Sequence, residues 1–414
     1  MAWWENQFLK IKKGKLFIGE KEASRIAAEH GTPLFVYSEK QIRANLRDIL
    51  KLFPEGSSIQ PRICYAMKAN PHPRILQLLR QEGVWIDAVS PGEVEKAREM
   101  KIPGKNIIFT GTSVSKKDLV RVFDQDDVTV TIDASGQLDL MKEVKEQHFK
   151  EKAIQVAIRW NPGIGRGFSP KTITAGSKSI DGTPVKFGIE EDEVLPIFSR
   201  ASAYGFVPVG LHQHLGSGWV AEDWDAVKQA AQKMIHKARE LETHGYKLEF
   251  LDFGGGFGPR YSEDQKIFPL ERYLSLLIED IGRSGLTIKA VALEPGKFLV
   301  GNAGVLLLGV VYTKKIYGNL FACVDGGTYT SVPRPALYAQ ATHPIVHCSR
   351  LDAEKKVKLT VAGNLCETGD VFGQDIPMAL PNKGDVLAVL VAGAYCRSMA
   401  SRFNLRDIPE EIFI

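Results

Sequence analysis

The sequence predicts an α/β protein, a (β/α)8 TIM-type barrel joined to a second, mostly β, Greek-key-like domain. Three observations predict it. Between Arg62 and Leu293, eight short apolar or β-branched runs alternate with helix-like stretches. The first few runs recur about every 22 residues, the size of one βα unit, and the whole span of roughly 230 residues suits a barrel. After Gly296 the texture changes to strand-like runs separated by turn signals.

In chain order, Ile11–Gly19 reads as a hairpin. The eight barrel runs follow: Arg62–Ala66, Val84–Val89, Asn106–Thr110, Val128–Ile132, Ile154–Trp160, Val207–His212, Leu248–Phe253 and Ile288–Leu293. The stretches between them are amphipathic. In Pro91–Met100, for example, Val94 and Ala97 share one side while Glu93, Glu95 and Lys96 take the other. The longer gaps, Trp160 to Val207 and His212 to Leu248, imply inserted loops on the functional side. A doubly wound open sheet has the same local pattern and is the alternative, since periodicity does not report closure. Beyond Gly296 the strand-like runs are Val305–Tyr312, Phe321–Val324, Val357–Val361 and Asp385–Leu390. With 414 residues two domains are expected. The simplest division gives 39–300 to the barrel and gives 1–38 with 301–414 to a β-rich domain built from both termini.

The bulk properties exclude several classes. A formal net charge of +4 with no block of like charges argues against a nucleic-acid partner. Five scattered cysteines without a CxxC pair point to a reducing compartment rather than a disulfide framework. The N-terminus Met1-Ala2-Trp3-Trp4 lacks a signal-peptide layout. The longest apolar run, Ala303 to Tyr312, is about half the ~20 residues a membrane span needs. A cytoplasmic protein acting on a small molecule, with no membrane partner, is expected.

In a barrel, chemistry gathers where the strands end. The first predicted strand leads to Lys68 in Tyr65-Ala66-Met67-Lys68-Ala69-Asn70, and the second carries Asp87. The fifth gives Arg159, and the sixth ends in His212-Gln213-His214-Leu215-Gly216-Ser217-Gly218. The seventh ends in Asp252-Phe253-Gly254-Gly255-Gly256-Phe257-Gly258, and the eighth in Glu294-Pro295-Gly296-Lys297. Singly these are weak: a lysine after a strand is usually solvated, and a glycine run is usually a turn. His212 and His214, two apart, fit a metal pair, but no further ligands are evident nearby, so a structural or stacking role is expected and no metal is assigned. Together the features suit pyridoxal 5'-phosphate. That cofactor needs a lysine for its aldehyde, a nest of backbone N–H groups for its phosphate, and a carboxylate for its pyridine nitrogen. Lys68, Gly254–Gly256 with Ser217, and Glu294 supply these in turn.

These motifs carry a resemblance. The chain resembles the fold-type III pyridoxal-phosphate decarboxylases and is similar above all to the diaminopimelate decarboxylases, nearly end to end. Beyond the motifs above, the likeness rests on Arg334-Pro335-Ala336-Leu337-Tyr338, Cys366-Glu367-Thr368-Gly369-Asp370 and Gly393-Ala394-Tyr395. The resemblance implies that Lys68 carries the cofactor and that His214 stacks on its ring. It implies phosphate contacts from Ser217, Gly254, Gly255, Gly256 and Tyr395, and a pyridine contact from Glu294. Asp87, Arg159, Gly296 and Lys297 complete the expected cofactor site. Cys366 would reprotonate Cα after carbon dioxide leaves, a task a thiol can perform near neutral pH. Lys297, Arg334, Tyr338, Glu367 and Tyr395 would bind the substrate, Arg334 gripping a second carboxylate bidentately. Cys366 and Glu367 would reach a neighbouring subunit, which implies a homodimer with shared active sites.

The implied reaction is decarboxylation of meso-diaminopimelate to L-lysine, in lysine biosynthesis. The chain departs from the family pattern in three places: Lys297 stands where arginine is usual, Ala339-Gln340-Ala341-Thr342-His343 replaces the usual aromatic-His continuation, and the chain stops soon after Arg406. A related decarboxylase acting on another amino acid is therefore the alternative. An alanine-racemase-like enzyme and a non-catalytic cofactor-binding protein are weaker ones. The first lacks its tyrosine signature here, and the second lacks the β-rich half that this chain has.

Overall fold

The computed structural model describes residues 2–56 and 59–414; Met1, Ser57 and Ser58 lie outside the described residues. The chain forms two compact units. One comprises Asp48–Gly258 and Lys266–Gly296, the other Met1–Arg47, Pro259–Gln265 and Lys297–Ile414.

The first unit is a closed barrel of eight parallel strands. They are β1 (Gln60–Ala66), β2 (Trp85–Ala88), β3 (Ile107–Phe109), β4 (Thr129–Ile132), β5 (Ile154–Arg159), β6 (Phe206–His212), β7 (Phe250–Asp252) and β8 (Ala290–Leu293). Each falls within or across one of the runs read from the sequence. Pairing of β8 with β1, from Ala290 opposite Gln60 to Leu293 opposite Ile63, closes the sheet and removes the open-sheet alternative. Strands covered on both faces read as unbroken apolar runs, and all four residues of β4 and of β8 are buried.

At the N-terminal ends of the strands the barrel is filled. The Arg62 guanidinium lies 3.9 Å from the Trp85 ring and 4.6 Å from the Phe250 ring. Cys64, Ile108, Ala157, Val209, Phe250, Ala290 and Ala292 pack as one cluster. The surrounding helices begin on local signals. Ser90 accepts a hydrogen bond from Glu93 N at 3.2 Å, and the Glu93 carboxylate accepts one from Val89 N at 2.8 Å. The first of these satisfies an orphan donor of the helix start, the second ties down the residue before the cap, and Pro91 occupies the first turn. Val94 and Ala97 of this helix are buried, as its periodicity predicts.

The second unit is mostly β. Leu9–Lys12 and Lys15–Ile18 form the expected antiparallel hairpin. The main sheet runs Ile345–His347, Val386–Val389, Gly304–Ile316, Asn319–Val324, Val357–Ala362, Val371–Met378, with Leu34–Tyr37 paired to Gly304–Ile316 and Glu410–Phe413 paired in turn to Leu34–Tyr37. Along Gly304–Ile316 the period of two is plain: Leu306, Leu308 and Val310 enter one core, Val305 and Leu307 the other. Among the described residues, no helix is long and apolar enough to cross a membrane.

Candidate active site

In the barrel unit, polar side chains meet at the C-terminal ends of the strands. β1 passes into a single 3-10 turn, Met67–Ala69, that carries Lys68. The turn is braced from within, since the Tyr65 hydroxyl donates to Asn70 O at 2.9 Å. Lys68 Nζ lies 2.6 Å from Oδ2 of Asp87, which ends the neighbouring β2. Asp87 is fully buried and also accepts from the Thr110 hydroxyl. Burial raises its pKa, with repulsion from Glu294 adding to the rise and Lys68 opposing it.

Three further buried groups come from β6, β7 and the residue after β8. His212 Nε2 is 3.1 Å from Glu294 Oε1, and His212, Asp252 and Glu294 each offer one ligand atom within 4.8 Å of the others. The carboxylates that sequence spacing does not reveal beside His212 are therefore present, and the set is chemically able to hold a cation. His214 is not part of it. Burial pushes the Glu294 carboxyl up, but His212 and Lys68 together outweigh it and hold the group ionised. Asp252 goes the other way, to about 7, because it is buried and faces the Glu294 charge. Its Oδ1 accepts Gly254 N at 2.9 Å. Two neighbouring carboxyls are thus pushed apart in acidity, one ionised and one able to keep its proton.

His214 follows β6. Its Nδ1 is 2.7 Å from the Thr174 hydroxyl, which donates to His214 O at 2.9 Å, so Nδ1 carries the hydrogen. Burial, aided by Lys68 and Arg159, lowers its pKa to about 3 and keeps the ring neutral. Thr174 lies in the long insertion after β5. That insertion is laced to the loop after β6 through Arg166 N to Leu215 O (3.0 Å) and Ser217 N to Thr172 O (3.0 Å). The loop after β6 is in turn tied to the glycine loop by Gly218 N and Trp219 N, both donating to Gly256 O at 2.7 and 2.9 Å. Glycine is required there. A Cβ on Gly255 would stand 2.3 Å from Glu294 O, and one on Gly256, whose φ is +115°, 2.1 Å from the Trp219 ring. Arg159, at the end of β5, is buried over Phe187 and 3.7 Å from Asp133.

The second unit holds the remaining expected residues. Lys297 and Arg334 are both buried, with Lys297 Nζ 5.8 Å from the centre of the Tyr395 ring. Burial, then the nearby Arg334 charge, pushes the Lys297 ammonium well below its usual range. Arg334 lies over the Tyr261 ring at 4.3 Å and against His343. Tyr395 adopts a left-handed backbone, φ 55°. Tyr338 is half-buried at the end of the short helix Arg334–Leu337. Cys366 and Glu367 sit on an exposed turn between Val357–Ala362 and Val371–Met378, where Cys366 N donates to Asn404 Oδ1 at 2.8 Å. Cys366 is exposed, whereas Cys64, Cys323, Cys348 and Cys396 are buried.

Sequence reasoning did not find Thr110, Thr174, Tyr261, His343 or Asn404, whose partners are distant in the chain or sit in irregular loops. It named Asp252 only as part of a loop. The residues present fit pyridoxal phosphate. A carboxylate held ionised among buried groups suits a protonated pyridine nitrogen, and a loop in which added Cβ atoms would collide leaves bare N–H groups for a phosphate.

Comparisons with known proteins agree with this geometry. The family model "Pyridoxal-dependent decarboxylase, pyridoxal binding domain" matches residues 39–301. The chain is 36% identical to diaminopimelate decarboxylase of Methanothermobacter thermautotrophicus over 407 residues, covering 97% of this chain and 91% of that protein. It is 32% identical to diaminopimelate decarboxylase of Aquifex aeolicus, covering 99% and 93%. Among solved structures, diaminopimelate decarboxylase of M. jannaschii in complex with L-lysine superposes with a TM-score of 0.87 at 30% identity, covering 99% of this chain and 93% of that one.

Proposed function

The chain belongs to the pyridoxal-dependent decarboxylases, and from that premise we propose that it removes one carboxylate from meso-diaminopimelate to give L-lysine. The cofactor is pyridoxal 5'-phosphate. One observation carries the chemistry: Glu294, held ionised by His212 at 3.1 Å, shares the barrel end with Lys68. The substrate assignment is supported by the named relatives and by L-lysine, the expected product, in the M. jannaschii structure.

Bound pyridoxal phosphate supplies an electron sink for the pair left at Cα when the carboxylate departs. The chain's own residues do the rest. Lys68 carries the cofactor, and Ser217, Gly254–Gly256, Gly296 and Tyr395 hold its phosphate. Asp87 and Arg159 set the charge around Lys68 and the barrel end. Glu294 keeps a proton on the pyridine nitrogen, and neutral His214 offers a flat face to the ring. Cys366 delivers a proton to Cα, aided by its exposure on a turn. Arg334, Tyr338, Glu367 and Lys297 bind the far end of the substrate. Cys366 and Glu367 serve the neighbouring subunit of a homodimer in this reading, and five free thiols suit a reducing cytoplasm.

Lys297 supports a second reading, the same chemistry on another amino acid, because an ammonium lacks the guanidinium fork. Carbon dioxide release from a panel of diamino and dicarboxylic amino acids tests both. Turnover of meso-diaminopimelate well above the rest is expected. No turnover of it, with brisk turnover of another acid, overturns the substrate.

A further inference from the structure

We propose that His343 is a positioning residue that fixes the Arg334 guanidinium and thereby sets selectivity for substrates with a second carboxylate. The proposal rests on the reading of Arg334 given above.

His343 Nε2 lies 3.0 Å from Arg334 Nη1, and both residues are almost fully buried, at 4% and 3% exposure. The other ring nitrogen, Nδ1, lies 3.0 Å from Leu390 O. A carbonyl oxygen only accepts, so Nδ1 carries the hydrogen. Nε2 is then left with its lone pair turned to the guanidinium, which only donates. The tautomer is dictated from both sides. Leu390 N also donates to Pro344 O at 2.8 Å, so the backbone beside His343 is pinned to the same residue as its ring. Tyr261 completes the support. Its ring lies under the guanidinium at 4.3 Å and meets the His343 ring edge-on, centroids 5.3 Å apart and planes at 89°.

The choice of a neutral acceptor has a consequence. Burial and the Arg334 charge lower the His343 pKa to about 3, so the ring orients the guanidinium without cancelling its charge. A carboxylate at position 343 would form a charge-assisted pair with Arg334 and compete with an incoming carboxylate. A neutral acceptor leaves the positive charge for the ligand.

The experiment compares His343→Ala, His343→Gln, His343→Glu and Arg334→Met as holoenzymes, with meso-diaminopimelate and with D-lysine, which keeps the centre that loses its carboxylate and lacks the second carboxylate. Losing a hydrogen bond to a charged group is expected to raise KM for diaminopimelate about 10-fold or more in His343→Ala, with kcat nearly unchanged. Activity on D-lysine, scored as kcat/KM, is expected to stay level. His343→Gln, which keeps a neutral acceptor, is expected to recover most of the loss. His343→Glu is expected to raise KM for diaminopimelate selectively even where the alanine variant fails to fold. Unchanged KM in His343→Glu, or equal losses on both substrates in every folded variant, overturns the proposal. If Arg334→Met raises KM and the His343 variants do not, the positioning role fails while Arg334 keeps its assignment. If Arg334→Met itself leaves KM unchanged, the reading of Arg334 falls first.

Discussion

Glu294 Oε1 stands 3.1 Å from His212 Nε2, with both side chains about 97% removed from solvent. This pair sets the acidity of the barrel end. The imidazole, with Lys68, keeps the Glu294 carboxyl ionised despite burial, while its neighbour Asp252 rises to about 7. Glu294→Gln keeps the shape and removes the charge. The cofactor is expected to remain bound, since its covalent link and phosphate contacts persist. Turnover is expected to fall on the order of 10²-fold or more, the scale of a lost proton-holding group. Steady-state kcat against cofactor content by absorbance checks this, and an unchanged kcat would mean that Glu294 is only structural.

Gly255→Ala tests the phosphate loop. The new methyl would stand 2.3 Å from Glu294 O, a backbone atom that cannot rotate away. The loop must shift, at a cost of about 1–3 kcal/mol in stability, and affinity for pyridoxal phosphate is expected to fall at least ~10-fold. Thermal unfolding and cofactor titration of the cofactor-free protein measure the two effects.

His343 leaves a signature in stability against pH. Its folded-state pKa is lowered to about 3, against about 6.5 for an unfolded histidine. Between these values the unfolded chain binds one proton more than the native one at this site. Its contribution therefore makes stability rise with pH through the window and fall as pH drops. Compared with His343→Gln, the wild type is expected to lose an extra ~1.4 kcal/mol for each pH unit below about 6.5. Urea unfolding of the cofactor-free proteins at several pH values gives the difference, and parallel slopes would contradict it.

Subunit mixing tests whether Cys366 acts across an interface. Lys68→Ala and Cys366→Ala homodimers are each expected to be nearly inactive. Random reassortment makes half the dimers mixed, each with one intact site, so activity of about a quarter of wild type is expected on two-fold pairing grounds. No recovery after verified exchange would place Cys366 in its own subunit's site or outside the chemistry.

Much of this was legible in the sequence because barrel strands, buried on both faces, write themselves as short apolar runs, and their ends carry the chemistry. All eight were found to within a few residues. In the second unit Leu34–Tyr37, Ile345–His347 and Glu410–Phe413 are only three or four residues long and carry no alternation. Val371–Met378 holds Gly373, Asp375 and Pro377, and it is tolerated as a strand because it ends the sheet order, where a missing N–H costs no ladder bond. In the site, Lys68, Glu294 and the glycine loop were legible because each follows a strand. Thr174 and His343 were not, because tertiary contact alone brings them to His214 and Arg334. The carboxylates around His212 escaped for the same reason: Asp252 and Glu294 lie on separate strands, and only barrel closure gathers them.

The most direct test is borohydride reduction of the holoenzyme followed by peptide mapping of the fixed cofactor. A single adduct on Lys68, with loss of the visible cofactor band, is the expected result. Lys297 is the informative rival, since burial also favours its neutral, nucleophilic amine. An adduct on Lys297, or no adduct at all, would contradict the assignment of Lys68.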